Sequence, residues 1–278
     1  MVSPNDQFSL IQWNTLGIES CNQEAFPNVS VECLIWDYRK KLFCSIIQEN
    51  NADIFCLEEV DKYEEFKVIF SQISNQYESI YYQKHSGNPQ GIVIFYNKLN
   101  LNLLKTYKLV FKDNDGKEMS QFCSVNFFKF FNQRTICVIA THLKAKERFE
   151  DIRISQINQI CSHLSSEEFI NNYTELRCDG LILCGDFNAE PTYNCIRKLC
   201  SYTFQNCNLS NAFADAEITT YKIRDKEYSR VIDYVFYYNL QLISTNKLMQ
   251  KSDIGDKGLP NLTFPSDHLF LKADFKLN

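Results

Sequence analysis

Alternating and clustered apolar residues predict short strands interleaved with a few amphipathic helices. Residues 8–13 alternate between apolar and polar side chains, as in a half-buried strand. Residues 54–57 form a continuous apolar run of the length typical of a short buried strand. An apolar or aromatic side chain recurs every four residues from Leu34 to Ile46, which predicts a helix over roughly 31–50.

The remaining pattern indicates a layered α/β protein. Further strands are predicted over 91–96, 121–131, 135–141, 181–184, 231–237 and 269–275, and further helices over 63–76 and roughly 148–168. Helices are mixed with directly adjacent pairs of strands. This order favours mixed sheets over a doubly wound parallel sheet.

The polar residues that can carry chemistry fall where predicted strands begin or end. Rigid scaffolds usually display catalytic groups at such positions. The set consists of Asn14, Glu59, His142, Asp186, Asn188, Asp233, Asp267 and His268. Asp233 differs from the others because it lies inside the apolar strand 231–237, where a buried carboxylate needs a partner. His268 and Arg230 are the two candidate partners.

These residue types suit metal-assisted hydrolysis of a phosphoester. Carboxylate and amide oxygens are the hard ligands that Mg²⁺ prefers, and imidazoles can donate hydrogen bonds to phosphate oxygens. One such residue alone is weak evidence, since an Asp-x-Asn after Gly is more often a turn. Taken together, the positions from Asn14 to His268 predict one site and a single domain over residues 1–278.

Composition narrows the possible partners and compartment. The chain has 278 residues and a net charge of −5, which disfavours tight binding of extended nucleic acid. None of its 12 cysteines forms a CxxC pair, so we expect no zinc site. We expect the cysteines to be reduced thiols. No basic n-region with an apolar h-region opens the chain, and no apolar run is long enough to span a bilayer. We therefore expect a cytoplasmic monomer without a membrane partner.

The ordered motifs QWN, LEEV, THLKA, GDFNAEP, IDYVFY and PSDH resemble those of the endonuclease/exonuclease/phosphatase superfamily over about residues 8–275. The segments THLKAKERFEDIRISQ, LCGDFNAEPT and TTYKIRDKEYSRVIDYVFY extend the resemblance to the nocturnin family. Deadenylases of the carbon-catabolite-repression type share the motifs, but TTYKIR is nearer to the nocturnin family. The resemblance implies a four-layer αββα sandwich, with two mixed β-sheets flanked by helices and the site at one end.

The resemblance also implies roles for the metal and the attacking water. Glu59 would be the principal ligand of Mg²⁺, or of Mn²⁺, assisted by Asn14. Asp186 would orient or deprotonate the water. Asn188 would hold that water or the phosphoryl oxygens.

The histidines would act on the phosphate. His142 and His268 would contact the scissile group and stabilise its developing charge. Asp233 would orient His268 through a ring N–H, and Asp267 would support the site.

Basic residues near the site predict how the substrate is bound. If residues 142–146 continue as an extended segment, the side chains of His142, Lys144 and Lys146 point to one face. In the nocturnin family, the positions that match Lys84, Lys144 and Lys146 help to bind NADP(H). Arg153, in the next predicted helix, is a fourth candidate for substrate binding.

The sequence is compatible with three functions. The first is removal of the 2′-phosphate of NADP(H) to give NAD(H), and the second is 3′→5′ exoribonuclease action on the 3′ end of poly(A) RNA. The third is a catalytically silent binding protein. The acidic charge favours a small nucleotide as partner.

Some positions depart from the family pattern. Glu58 stands where the family usually has Gln, and Lys146 replaces an Arg and its bidentate geometry. Phe149 and Tyr221 replace tryptophans, and Gln90 replaces an Asp. These departures affect specificity more than they affect hydrolysis.

Overall fold

A computed structural model describes residues 6–85 and 89–278. The strands in these ranges are β1 (Gln7–Asn14), β2 (Ile54–Val60), β3 (Tyr77–Gln83), β4 (Gly91–Asn97), β5 (Leu101–Lys112), β6 (Glu118–Phe130), β7 (Thr135–His142), β8 (Cys178–Asp186), β9 (Thr203–Phe204), β10 (Cys207–Asn208), β11 (Ser210–Asn211), β12 (Thr220–Ile223), β13 (Glu227–Arg230), β14 (Asp233–Tyr238), β15 (Leu240–Thr245) and β16 (Leu271–Leu277). The α-helices are α1 (Val31–Leu34), α2 (Trp36–Glu49), α3 (Tyr63–Ile73), α4 (Glu150–Leu164), α5 (Glu167–Glu175), α6 (Asn194–Ser201) and α7 (Lys251–Ile254).

Two six-stranded mixed sheets form the centre of the protein. The first has the strand order β15-β16-β1-β2-β4-β3, and the second has the order β11-β14-β8-β7-β6-β5. The pairs β1–β2 and β7–β8 are parallel, and the other neighbours are antiparallel.

Three apolar layers hold the sandwich together. Alternate residues of β1, such as Phe8 and Leu10, pack between the sheets against residues of the second sheet, such as Val138. The other face of β1, including Trp13, packs under α2 and α3, while α4, α5 and α6 cover the second sheet. The predicted four-layer αββα sandwich is confirmed.

Two predicted helices are interrupted. The helix expected over 31–50 breaks at Ile35, which is extended (φ −74°, ψ 130°) and serves as the N-cap of α2. The helix expected over 148–168 ends at Leu164, and Ser166 then caps α5 by accepting a hydrogen bond from the Phe169 N–H. In both cases the apolar period continues along the chain, but one helix ends and a second begins at an N-cap residue.

The long strand β5 was not predicted. It lies at the edge of the second sheet, pairs with β6, and has mostly exposed or half-buried side chains. Since such a strand buries little, it has a weak apolar signature. Strand β3, at the edge of the first sheet, follows immediately after α3 and was missed for the same reason.

The twelve cysteines all lie in the described ranges and are free thiols. Among the helices of those ranges, none has the length and apolar character that crossing a membrane requires.

Candidate active site

The two parallel strand pairs end at the same edge of the sandwich and present polar residues there. Asn14 at the end of β1 is in register with Glu58 on β2, and His142 at the end of β7 is in register with Asp186 on β8. Gly185 makes the second juxtaposition possible, because a Cβ at this position would lie 1.8 Å from the Thr141 carbonyl oxygen. The fold thus brings groups from both sheets together.

A β-bulge sets the direction of Glu59. The pairing of β2 with β4 shifts register between Leu57 and Val60, and Glu59 has a left-handed φ of 56°. Its carboxylate accepts hydrogen bonds from the Gly17 N–H (3.0 Å) and from Asn14 Nδ2 (3.2 Å). The bulge turns Glu59 towards the site mouth, whereas the preceding carboxyl is fully buried.

Asn14 connects the two sheets through its amide. Nδ2 donates to Glu59 Oε1 (3.2 Å) and to Asp186 Oδ2 (3.0 Å). Oδ1 accepts from the Leu16 N–H (3.0 Å), which fixes the orientation of the amide. In this geometry the Asn14 amide NH₂, rather than its oxygen, faces the carboxylates, and its role as a metal ligand stays a prediction.

Asp186 is a buried carboxyl at the centre of the site. Its Oδ1 accepts from the Asn188 N–H (2.8 Å), and the Asn188 amide donates to the Leu143 carbonyl (3.1 Å). Burial and the neighbouring Asp233 carboxylate raise the pKa of Asp186 to about 7, against the opposing effect of His268 and of the bonds from Asn188 and Asn14.

His142 faces both carboxylates. Its Nε2 lies 3.7 Å from Asp186 Oδ2 and 3.9 Å from Glu59 Oε1. Burial, with added repulsion from Lys84 and His268, lowers its pKa well below the usual value. A neutral imidazole follows.

Asp233 and His268 form a buried pair, which decides between the two predicted partners of Asp233. His268 Nδ1 lies 2.9 Å and 3.1 Å from the two Asp233 oxygens, while Arg230 pairs with Glu147 instead. Burial acts to lower the pKa of His268, but the Asp233 and Asp267 carboxylates outweigh it and raise the pKa to about 10. The ring is therefore an imidazolium at neutral pH, and its Nε2 lies 3.9 Å from Asp186 Oδ2.

Asp267 lies next to the Asp233–His268 pair. Its carboxylate forms an ion pair with Lys222, and Oδ1 lies 4.0 Å from His268 Nε2. Burial would raise the pKa of Asp267, but the charges of Lys222 and His268 lower it to about 2. Lys222 was not recognised in the sequence, because a lysine in a short hairpin strand carries no distinguishing spacing.

Of the predicted substrate lysines, Lys84 lies close enough to Glu59 and Asp186 for their charges to act on it, and Lys144 lies close to Lys84. Lys84 Nζ donates to Gln90 Oε1 (3.1 Å), and burial lowers its pKa. Lys144 Nζ lies 5.0 Å from the centre of the Phe149 ring. The predicted extended run did not form, since β7 ends at His142 and Lys146 has a left-handed φ of 77°. Residues 86–88 of the adjoining loop, including Gly87, lie outside the described residues.

Arg153 occupies a different place from the one predicted. Its side chain is buried and donates to the carbonyls of Lys144 (2.8 Å), Lys146 (2.8 Å) and Glu147 (3.2 Å). The guanidinium thus shapes this loop from inside, because both of its terminal nitrogens donate to the backbone of the loop.

Glu58, the departure beside Glu59, points between the sheets. It is 0% exposed, and its Oε2 accepts a hydrogen bond from Gln12 Nε2 (3.0 Å). Burial, followed by the nearby Cys184 and Asp233, raises its pKa well above the usual value. Burial therefore favours the neutral acid form of Glu58, at a position where the family usually has a neutral amide.

The donor set suits a divalent cation. Glu59 and Asp186 present carboxylate oxygens that share one amide donor, and the Glu59 side chain remains 17% exposed. Asp186, Asp233 and His268 also offer ligand atoms within 4.8 Å of one another, although the Asp233–His268 hydrogen bond already uses two of them. Such oxygen-rich surroundings are compatible with a hard metal ion.

Comparisons with known proteins agree with this geometry. The chain is 29% identical to rat nocturnin over 298 residues, which span 99% of this chain and 67% of the rat protein. It is 25% identical to the human nocturnin catalytic domain with bound sulfate, with a TM-score of 0.76 and coverage of 100% of this chain and 97% of that one. In sequence and fold the chain is thus similar to nocturnins, and the ordered motifs are similar to those of the endonuclease/exonuclease/phosphatase superfamily. It also shares its fold with ANGEL2, a 2′,3′-cyclic phosphatase, at 22% identity and a TM-score of 0.82 over 98% of this chain and 95% of that one. No protein-family model matches the chain.

Proposed function

We propose that the protein is a divalent-metal-dependent phosphoester hydrolase that removes the 2′-phosphate of NADP(H) to give NAD(H). The observation that carries the proposal is the approach of His142 Nε2 to Glu59 Oε1 (3.9 Å) and Asp186 Oδ2 (3.7 Å) at one open edge. Similarity to nocturnins supports this branch. Lys144 and Lys146, in the loop after β7, suit a substrate with several phosphate groups.

In the proposed reaction, a water oxygen bonds to phosphorus while the bond from phosphorus to the ribose oxygen breaks. Asp186 is suited to accept the water proton, because its pKa of about 7 lies near neutral pH. The departing ribose oxygen takes up a proton and leaves as a hydroxyl group. A cation held by Glu59 would supply charge neutralisation at the phosphate.

The two histidines have complementary tasks. His268, charged at neutral pH, donates a strong hydrogen bond to a phosphoryl oxygen as negative charge develops there. His142 is neutral and donates a weaker hydrogen bond to a second oxygen. Asn188 orients the water or the same oxygens from the loop after β8.

Two substrates in parallel test the proposal. Purified protein in Mg²⁺ is expected to release phosphate from NADP⁺ and to leave a poly(A) oligomer at full length. Shortening of the oligomer without phosphate release would select the exoribonuclease alternative. If the folded protein hydrolyses neither NADP⁺ nor the poly(A) oligomer, both the proposed function and the exoribonuclease alternative are wrong.

A single lysine then tests how the 2′-phosphate is recognised. Lys146→Ala is expected to raise the KM for NADP⁺ about 10-fold through loss of one charge-assisted contact, while NAD⁺ binding stays unchanged. Lys276→Ala is the matched control, because this exposed lysine lies at the far end of β16 from His268. Equal weakening of NADP⁺ and NAD⁺ binding would exclude Lys146 as the reader of the 2′-phosphate.

A further inference from the structure

We propose that Gln12 is a positioning residue for hydrolysis, which holds the Asp233 carboxylate and through it the His268 ring. The inference deepens the proposed function and rests on it for the effect on turnover. Its geometric part concerns one hydrogen bond that crosses from the first sheet to the second.

Gln12 is a polar residue in an otherwise apolar layer. Phe8, Leu10 and Gln12 share one face of β1 and point between the two sheets. Gln12 is 0% exposed, and a buried amide needs partners for its donors. Its Nε2 has two, Glu58 Oε2 at 3.0 Å and Asp233 Oδ1 at 3.3 Å.

The Asp233 carboxylate is held from three directions. Thr219 Oγ1 donates to Oδ2 (2.7 Å), Gln12 Nε2 donates to Oδ1 (3.3 Å), and His268 Nδ1 lies within 3.1 Å of both oxygens. Without Gln12, the remaining side-chain partner of Asp233 Oδ1 is His268 Nδ1, which also contacts Oδ2. The carboxylate is then free to turn about the Thr219 contact, and the His268 ring turns with it.

Glu58 anchors Gln12 from the opposite side. Glu58 lies in β2 beside β1, so its contact to Gln12 stays within the first sheet, whereas the contact to Asp233 spans the interface between the sheets. The Gln12 amide therefore couples the strand that carries Asn14 to the strand that begins at Asp233.

The test replaces Gln12 with methionine, which has a similar length and no donor. The control is Asn126→Leu, since Asn126 is also a fully buried amide and bonds to Ser124 and Val138, not to a site residue. Both variants should lose stability. Only Gln12→Met should change His268.

The direct readout is ¹⁵N-histidine NMR. The chain has 4 histidines, and within the described ranges His268 alone places Nδ1 on a carboxylate. In Gln12→Met we expect its Nδ1–H signal to exchange at least about 10-fold faster and kcat to fall about 10-fold at nearly constant KM. Asn126→Leu should leave the signal and kcat as in the parent protein. Gln12→Asn, which keeps an amide but is shorter, provides a second variant should methionine prevent folding.

An unchanged His268 signal with unchanged kcat in a folded Gln12 variant would overturn the inference. Equal changes in Asn126→Leu would reduce Gln12 to a general packing role and overturn it as well. If the parent protein hydrolyses no phosphoester, the proposed function fails, but the NMR comparison still decides whether Gln12 positions His268.

Discussion

The two parallel crossovers of the fold, β1-α2-β2 and β7-α4-β8, use the same residue type to hold the loop that follows the first strand. In each, a buried arginine of the helix reaches back to the loop that follows the first strand. Arg39 donates to the carbonyls of Thr15 (2.5 Å) and Leu16 (2.6 Å). Arg153 donates to those of Lys144 and Lys146 (both 2.8 Å).

The difference lies in the third acceptor. Arg39 Nε also donates to the Pro265 carbonyl (2.6 Å), in the loop that leads to His268. Arg153 finds its third acceptor, Glu147, within its own loop. Arg39 therefore ties together the loop after β1 and the loop before His268, while Arg153 shapes the single loop that carries Lys144 and Lys146. We therefore expect Arg39 to affect turnover more than substrate binding, and Arg153 to affect substrate binding more than turnover.

The largest effect on kcat is expected at Glu59 and Asp186, the two carboxylates that the two sheets bring together. Glu59→Gln and Asp186→Asn each remove one carboxylate from opposite sheets, and each should lower kcat by about 10³-fold or more through lost electrostatic and proton-transfer catalysis. Turnover and thermal unfolding should be measured on the same preparations. A folded variant that keeps the kcat of the parent protein would show that the substituted carboxylate takes no part in hydrolysis.

The paired arginine substitutions test the comparison directly. Arg39→Met and Arg153→Met should each cost about 3 kcal/mol of unfolding free energy in urea, because each leaves buried carbonyls without donors. In steady-state kinetics, Arg39→Met should mainly lower kcat and Arg153→Met should mainly raise KM. The same kinetic change in both variants would mean that the third acceptor of Arg39 has no functional consequence.

A smaller effect is expected at Lys222, which contacts the loop before His268 through its ion pair with Asp267. Lys222→Met should cost about 2 kcal/mol at pH 7, less than for a fully buried pair, because the Lys222 side chain is 21% exposed. The Asp267 pKa is lowered to about 2, so the ion pair stabilises the fold above the unfolded value near 4. That stability is lost as pH falls towards 2. Urea unfolding at pH 7 and at about pH 3, which lies between the folded and unfolded pKa values of Asp267, should show the difference between variant and parent shrinking with acid. A constant difference would assign the effect to packing.

Much of the site could be predicted because its residues are tied to strand ends. The period of apolar residues locates the ends of β1, β7 and β8, and therefore Asn14, His142 and Asp186. Edge strand β5 escaped because it buries little, and Arg153 was assigned to the substrate because a helical position does not reveal which way a guanidinium turns.

The sequence by itself determined the layered α/β class, the resemblance to the superfamily and the candidate hydrolytic residues, since each depends on local period or ordered motifs. Only the tertiary structure decided that Arg39 and Arg153 bind loop carbonyls and that Gln12 reaches Asp233. The Gln12–Asp233 contact joins residues 221 positions apart in different sheets. No local spacing encodes such a contact, because it exists only once both sheets have packed.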